Sequence, residues 1–189
     1  MTKDEYIEVL RQDSEKSPYF YKSCWSRVLN PFLIDREIWR FQKLLRKCEY
    51  LYSKEGGFVL KIRKYYFSWK FKKQSIKLGF TIPCGCFGAG LKILHRGTIV
   101  VNANAKIGNN CTLNAGVNIG TNAGEEGQCP QLGNNVYIGP GAKLFGKIYI
   151  ADGCAIGANA VVTKSFLEPN MIIAGVPAKV IGKVERDLS

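Results

Sequence analysis

The sequence predicts a mainly β fold, a parallel β-helix of hexapeptide repeats preceded by an α-helical N-terminal segment. Two observations predict it. Apolar residues recur at three- and four-residue steps up to about residue 77, and at six-residue steps from residue 83 onward. Charge divides at the same place. Residues 36 to 77 carry thirteen basic residues against Glu37, Glu49 and Glu55, while the rest of the chain is close to balanced. A chain of 189 residues suits one elongated domain with an appendage, here residues 1–78 and 79–189.

The helical elements follow in order. Residues 3 to 12 form a short amphipathic pattern, with Tyr6, Ile7, Val9 and Leu10 apolar and acids in the first turn. A stronger helix has Asp35 as its expected N-cap. Ile38, Phe41, Leu44, Leu45, Cys48 and Leu51 or Tyr52 form its apolar stripe, and Gly56-Gly57 its end. A third is expected over about 58–77, "FVLKIRKYYFSWKFKKQSIK".

From residue 83 the first position of each hexad reads Pro83, Ala89, His95, Val101, Ile107, Leu113 and Ile119. After a break it reads Leu132, Ile138, Leu144, Ile150, Ile156 and Val162. The fifth position is apolar or small, as at Phe87, Ile93, Ile99, Ala105, Cys111, Val136, Ala142, Cys154 and Ala160. No helix or simple strand has period six. Three hexads make one coil of about 18 residues, each hexad a short strand and a corner. Aliphatics then stack inside, and Asn and Gly form the corners.

The seven cysteines are odd in number and the N-terminus, "MTKDEYIEVL", lacks a signal-peptide pattern. Free thiols in a reducing cytoplasm are expected. Cys111 and Cys154 read as compact hydrophobes. Cys84-Gly-Cys86 is too closely spaced for a zinc site, and no metal is expected. No apolar run is long enough to span a bilayer.

"GTNAGEEGQCPQ" interrupts the lattice between Ile119 and Leu132, so a loop over about 121–131 leaves the coil. It is either an active-site wall or a plain surface excursion. His95, the single histidine, takes a first position that otherwise holds an aliphatic. The residue chemistry allows a hydrogen-bonded structural histidine or a general base.

The lattice resembles the left-handed parallel β-helix acyltransferases of the hexapeptide-repeat superfamily over about 78–185. "IGANAVVTKSFLEPNMIIAGVPAKVIGK" is specific for that superfamily, and "IPCGCFGAGLKILHRGTIVVNANAKIGNNC" resembles its serine acetyltransferase-like branch. The resemblance implies a left-handed coil and an acetyl-CoA-dependent O-acetyltransferase with His95 as general base. Neutral imidazole suits proton removal from a hydroxyl near pH 7. It also implies coenzyme A contacts at Pro140, Ala158, Thr163, Lys164 and Lys179, and a homotrimer with sites between subunits. Each lysine taken alone also reads as a solvated surface residue.

Departures from the resemblance bear on the acceptor. The aspartates expected to pair with and precede the histidine are Phe80 and Leu94, and an Arg-His-Pro triplet is Gln128-Cys129-Pro130. Free serine would bring two charges to a site without their partners. The expected acceptor is therefore an uncharged sugar hydroxyl, and the resemblance to short members of this branch implies a cell-surface or capsular polysaccharide precursor, with serine as the alternative. Loop residues Glu125, Glu126, Gln128 and Cys129 are its candidate contacts. A non-enzymatic scaffold is the reading from another class; a carbonic anhydrase is disfavoured by the single histidine.

The basic aromatic stretch 58–77 has two readings. It packs on the coil's end with its basic face in water, or it touches the inner face of a membrane. It is not expected to bind nucleic acid, for which no motif accompanies the charge.

Overall fold

A computed structural model describes residues 1–17, 36–124 and 127–185. Among the described residues, three helices precede a left-handed parallel β-helix. Helix α1 spans Lys3–Lys16, α2 Arg36–Tyr52 and α3 Phe58–Leu78. The Thr2 hydroxyl accepts from Glu5 N, and the Glu5 carboxylate accepts from Thr2 N, a capping box that starts α1. Helix α1 runs four residues past its expected end. Helix α2 stops at Tyr52, before Gly56-Gly57, and its expected cap Asp35 lies outside the described residues. Helix α3 stops where Gly79 adopts φ 75.

The coil is a three-faced prism. Face A stacks β1 (Phe80–Thr81), β3 (Ile99–Val101), β6 (Asn118–Gly120), β9 (Lys143–Phe145) and β12 (Val161–Val162). Face B stacks β4 (Lys106–Ile107), β7 (Gln131–Leu132) and β10 (Tyr149–Ile150). Face C stacks β2 (Lys92–Ile93), β5 (Thr112–Leu113), β8 (Tyr137–Ile138), β11 (Ala155–Ile156) and β13 (Met171–Gly175). All these pairs are parallel; β14 (Ala178–Lys183) turns back antiparallel on β13 and closes the stack.

Inside the prism the ladders are aliphatic. Ile93, Leu113, Ile138, Ile156 and Ile173 stack in register, each fully buried. Cys111 and Cys154 are buried at small inward positions, and burial pushes the Cys111 thiol up to about 11.

The expected hexad phase holds from Val101 on, but not before it. Phe87 pairs with Ile107 and Ile93 with Leu113, so these two, and not Ala89 and His95, stand beneath the first-position ladder. Both inward positions are apolar and lie two residues apart, so a two-residue slip exchanges them without disturbing the pattern. The loop after Ile119 is also longer than the hexad count suggests. Ile107 and Leu132, paired on face B, lie 25 residues apart, whereas Leu132 and its next partner Ile150 lie 18 apart.

Corners are held by side-chain amides. Ala89 N donates to Asn109 Oδ1 (2.9 Å), Asn109 N to Asn134 Oδ1 (2.9 Å) and Asn134 N to Asp152 Oδ1 (2.7 Å), one link per coil. The next residues, Asn110 and Asn135, both have φ 56, a conformation asparagine tolerates better than other side chains.

The helices bind the first coil through a buried ion pair. Asp13 is fully buried and accepts from Arg46 Nε (2.8 Å), Gly90 N (2.8 Å) and Leu91 N (3.0 Å). Arg46 also donates to Phe87 O and Gly88 O. Burial opposes the guanidinium charge, yet Asp13 and Glu49 outweigh it and raise the Arg46 pKa. Phe41 stacks on Phe71 and meets Phe80 edge-on, so helix and coil share one core.

Candidate active site

His95 lies at the corner between β2 and β3. Leu94 N donates to Leu113 O (3.0 Å) on one side, and on the other Gly97 sits beneath Ala115. Eight residues separate Ile93 from Val101 in this coil, against six between their partners Leu113 and Ile119. The extra pair is His95-Arg96, which bulges outward, and both side chains are exposed. The structure thus corrects the expected interior position of His95: no aliphatic rung is lost and no burial cost arises. Among the described residues the imidazole makes no hydrogen bond, so it is free to meet a substrate. Gly97 N donates to Leu78 O (3.3 Å), which ties the bulge to the end of α3.

The corner between faces C and A continues upward as one edge. Gly141 N donates to Ala115 O (2.9 Å) and Asn159 N to Pro140 O (2.8 Å), so Ala115, Pro140 and Ala158 follow the edge coil by coil above His95. Strand spacing puts Pro140 about 10 Å and Ala158 about 14 Å above the bulge. Both are exposed. Gly139 lets successive corners approach: a Cβ there would lie 2.7 Å from Ile156 O. Lys179, exposed on β14, pairs with Ala174 at the top of the same edge.

Thr163 and Lys164 follow β12 and lie at the corner between faces A and B instead. Both are exposed, and Lys164 Nζ sits 5.6 Å from the Phe166 ring centroid. The loop leaves from that corner too, two coils below. Gln128 is exposed, and Glu125 and Glu126 lie outside the described residues. Cys129, expected to face a substrate, is buried; burial raises its pKa and its thiol is no ready nucleophile. The residues expected from the sequence therefore lie on two different edges of a single chain: His95, Pro140, Ala158 and Lys179 on one, Thr163, Lys164 and Gln128 on the other.

Phe80 is buried against Phe41, so no carboxylate stands at that position. Sequence reasoning missed Arg96, which accompanies His95 in the bulge and makes no ion pair among the described residues. Its signal was the eight-residue spacing, legible only once Ile93, and not His95, is placed under Leu113.

The family model "Bacterial transferase hexapeptide (six repeats)" matches residues 130–164. A serine acetyltransferase of Helicobacter pylori is 34% identical over 161 residues, 83% of this chain and 94% of that protein. One of Mycobacterium tuberculosis is 38% identical over 102 residues, 53% of this chain. The chain spans 44% of the length of that relative. The crystal structure of a Brucella abortus serine acetyltransferase in complex with coenzyme A is similar, with TM-score 0.70 and 28% identity. That likeness covers 96% of this chain and 69% of that one.

Proposed function

Because the chain belongs to the serine acetyltransferase family, we propose that it transfers acetyl from acetyl-CoA to a hydroxyl oxygen, with His95 as general base. The observation that carries this reading is the unpartnered, exposed imidazole at the foot of an edge lined by Pro140 and Ala158. The neutral ring takes the hydroxyl proton as the oxygen attacks the thioester carbonyl. The tetrahedral adduct collapses, the carbon–sulfur bond breaks, and the imidazolium returns the proton to the leaving thiolate. No acyl-enzyme forms. The pantetheine arm runs up the edge past Pro140 and Ala158, where small residues leave backbone accessible, and Lys179 meets phosphate at its far end.

The relatives favour the serine hydroxyl as acceptor over the sugar hydroxyl anticipated from sequence. Arg96 supports serine by offering a cation beside the base for its carboxylate. The sugar reading retains one supporting observation, the buried Phe80 where a carboxylate was expected. A homotrimer fits the two separated half-sites: the A–B edge of a second copy would bring Thr163, Lys164 and the loop to the His95 edge and exclude water from it.

The test is thiol release from acetyl-CoA with serine and a panel of free and nucleotide-linked sugars. Saturable turnover of serine supports the first reading, and turnover of a sugar alone supports the second. His95→Ala is expected to lower kcat by about 10²- to 10⁴-fold while the coil stays folded. A near wild-type rate would remove His95 from the mechanism.

A further inference from the structure

Helix α3 buries one face against α2 and the coil, through Gln74 and Leu78 with Phe71 partly covered. The opposite face is apolar as well. Phe58, Ile62, Tyr65, Trp69 and Ile76 recur at three-, four- and seven-residue steps, from 52% to 78% exposed. A side chain at this spacing falls within one helical stripe. Lys61 and Lys72 flank the stripe on one side, and Lys73 and Lys77 on the other. All four are exposed.

An exposed apolar stripe of this kind marks an interaction surface. Its occupant is indicated by charge. The helix carries seven basic residues and no acid between Phe58 and Leu78. A second copy docked symmetrically on this stripe would set lysine flanks against lysine flanks, which is unfavourable. An anionic surface complements both flanks at once. Aromatic side chains with lysines on either side are also the pattern that lies in a lipid interface, rings at headgroup depth and ammonium groups reaching the phosphates.

A second feature points the same way. A groove of about 510 Å³ runs beside the stripe between α2 and α3, lined by Arg40, Trp69, Lys70, Lys73 and Lys77, with Glu37 its single acid. Glu37 is engaged by Gln74 Nε2 (2.6 Å) and Lys77 Nζ (3.1 Å) and also attracts Arg40, so one acid stands against Arg40, Lys70, Lys73 and Lys77 and the groove is net positive. The groove has room for lipid headgroups at the edge of the apolar stripe. Among the described residues no helix is long and apolar enough to cross a membrane, so contact would be with one surface only.

We propose that the outer face of α3 docks the protein on an anionic phospholipid surface, the aromatic stripe entering the headgroup layer and the flanking lysines meeting the phosphates. The proposal is independent of the acceptor. Since Leu78 O holds the bulge at Gly97, the docked helix sets the His95 end of the prism against the membrane.

The full chain is mixed with phosphatidylcholine vesicles, with and without phosphatidylglycerol, and recovered by flotation. Wild type is expected to float with the anionic vesicles only, and to be released by salt. Each basic residue near such a surface contributes about fivefold in affinity. The triple variant Lys61→Glu, Lys72→Glu, Lys73→Glu should therefore lose at least about a hundredfold. Ile62→Ser with Trp69→Ser should weaken binding while leaving the far-ultraviolet circular dichroism unchanged. No flotation of wild type, or equal flotation of the lysine variant, overturns the proposal. So does a fall in oligomeric mass of the Ile62, Trp69 variant without lipid, which would make the stripe a contact between copies.

Discussion

Asp13→Ala should be among the most destabilising single changes in the helical segment. The carboxylate is fully buried and accepts four hydrogen bonds: Arg46 Nε at 2.8 Å, Arg46 Nη2 at 3.3 Å, Gly90 N at 2.8 Å and Leu91 N at 3.0 Å. Its removal leaves two buried amides without an acceptor and a guanidinium that is 2% exposed. Breaking a buried pair from one side costs roughly 3–5 kcal/mol. An orphaned buried donor costs about 1–3 kcal/mol more. The two do not add in full, because Arg46 keeps Glu49 at 3.0 Å and two carbonyl acceptors. The net expectation is about 3–5 kcal/mol, or a fall in Tm of roughly 6–20 °C for a chain of this size. Urea unfolding gives the free energy, and hydrogen exchange at Gly90 and Leu91 gives the local effect. The paired replacement Asp13→Ala with Arg46→Met should recover a large part of the loss, since no lone charge remains buried. A loss under about 1 kcal/mol, or a double variant less stable than Asp13→Ala alone, would refute the reasoning that this pair clamps the helices to the first coil.

Three further outcomes follow from single positions. Asn135→Ala at φ 56 should cost about 1–2 kcal/mol in urea unfolding, and Asn135→Gly should restore most of it. Arg96→Ala should raise KM for serine with little change in kcat, whereas a sugar acceptor should be indifferent to it; steady-state thiol release separates the two. Cys111, whose thiol burial pushes up to about 11, should resist iodoacetamide in the native protein at pH 8 and react once the coil is unfolded in urea, as read by mass spectrometry.

The period of six was fully legible in the sequence because interior stacking imposes it on every coil. Its phase was legible only where nothing interrupts it. Val101 through Ile119 and Leu132 through Val162 lie where the hexads place them, all buried. Between Phe87 and Ile99 the pattern carried six-residue steps of its own, and these concealed the two-residue bulge that turns His95 outward. The histidine was recognisable as chemistry before its position was. The Asp13–Arg46 pair gave no periodic signal at all: it joins residues 33 apart in sequence through a fold that brings α1, α2 and the first coil together. Cys129 was read as a substrate contact from its place in the loop triplet Gln128-Cys129-Pro130, but a loop's inward residues follow from its path and not from its residue types.

The edge that rises from His95 is also a ruler. Its graduations are coils, each about 4.8 Å tall, and a group attached to the corner can sit only at whole marks. On the proposed reading, the reach between His95 and Lys179 is therefore set by a count of repeats. Removing the 18 residues from Gly139 to Ile156 would shorten the scale by one mark, with Ala158 taking the place of Pro140. A lineage can thus change the length of ligand that its edge accepts in discrete steps, without redesigning the place where the acyl group is passed on.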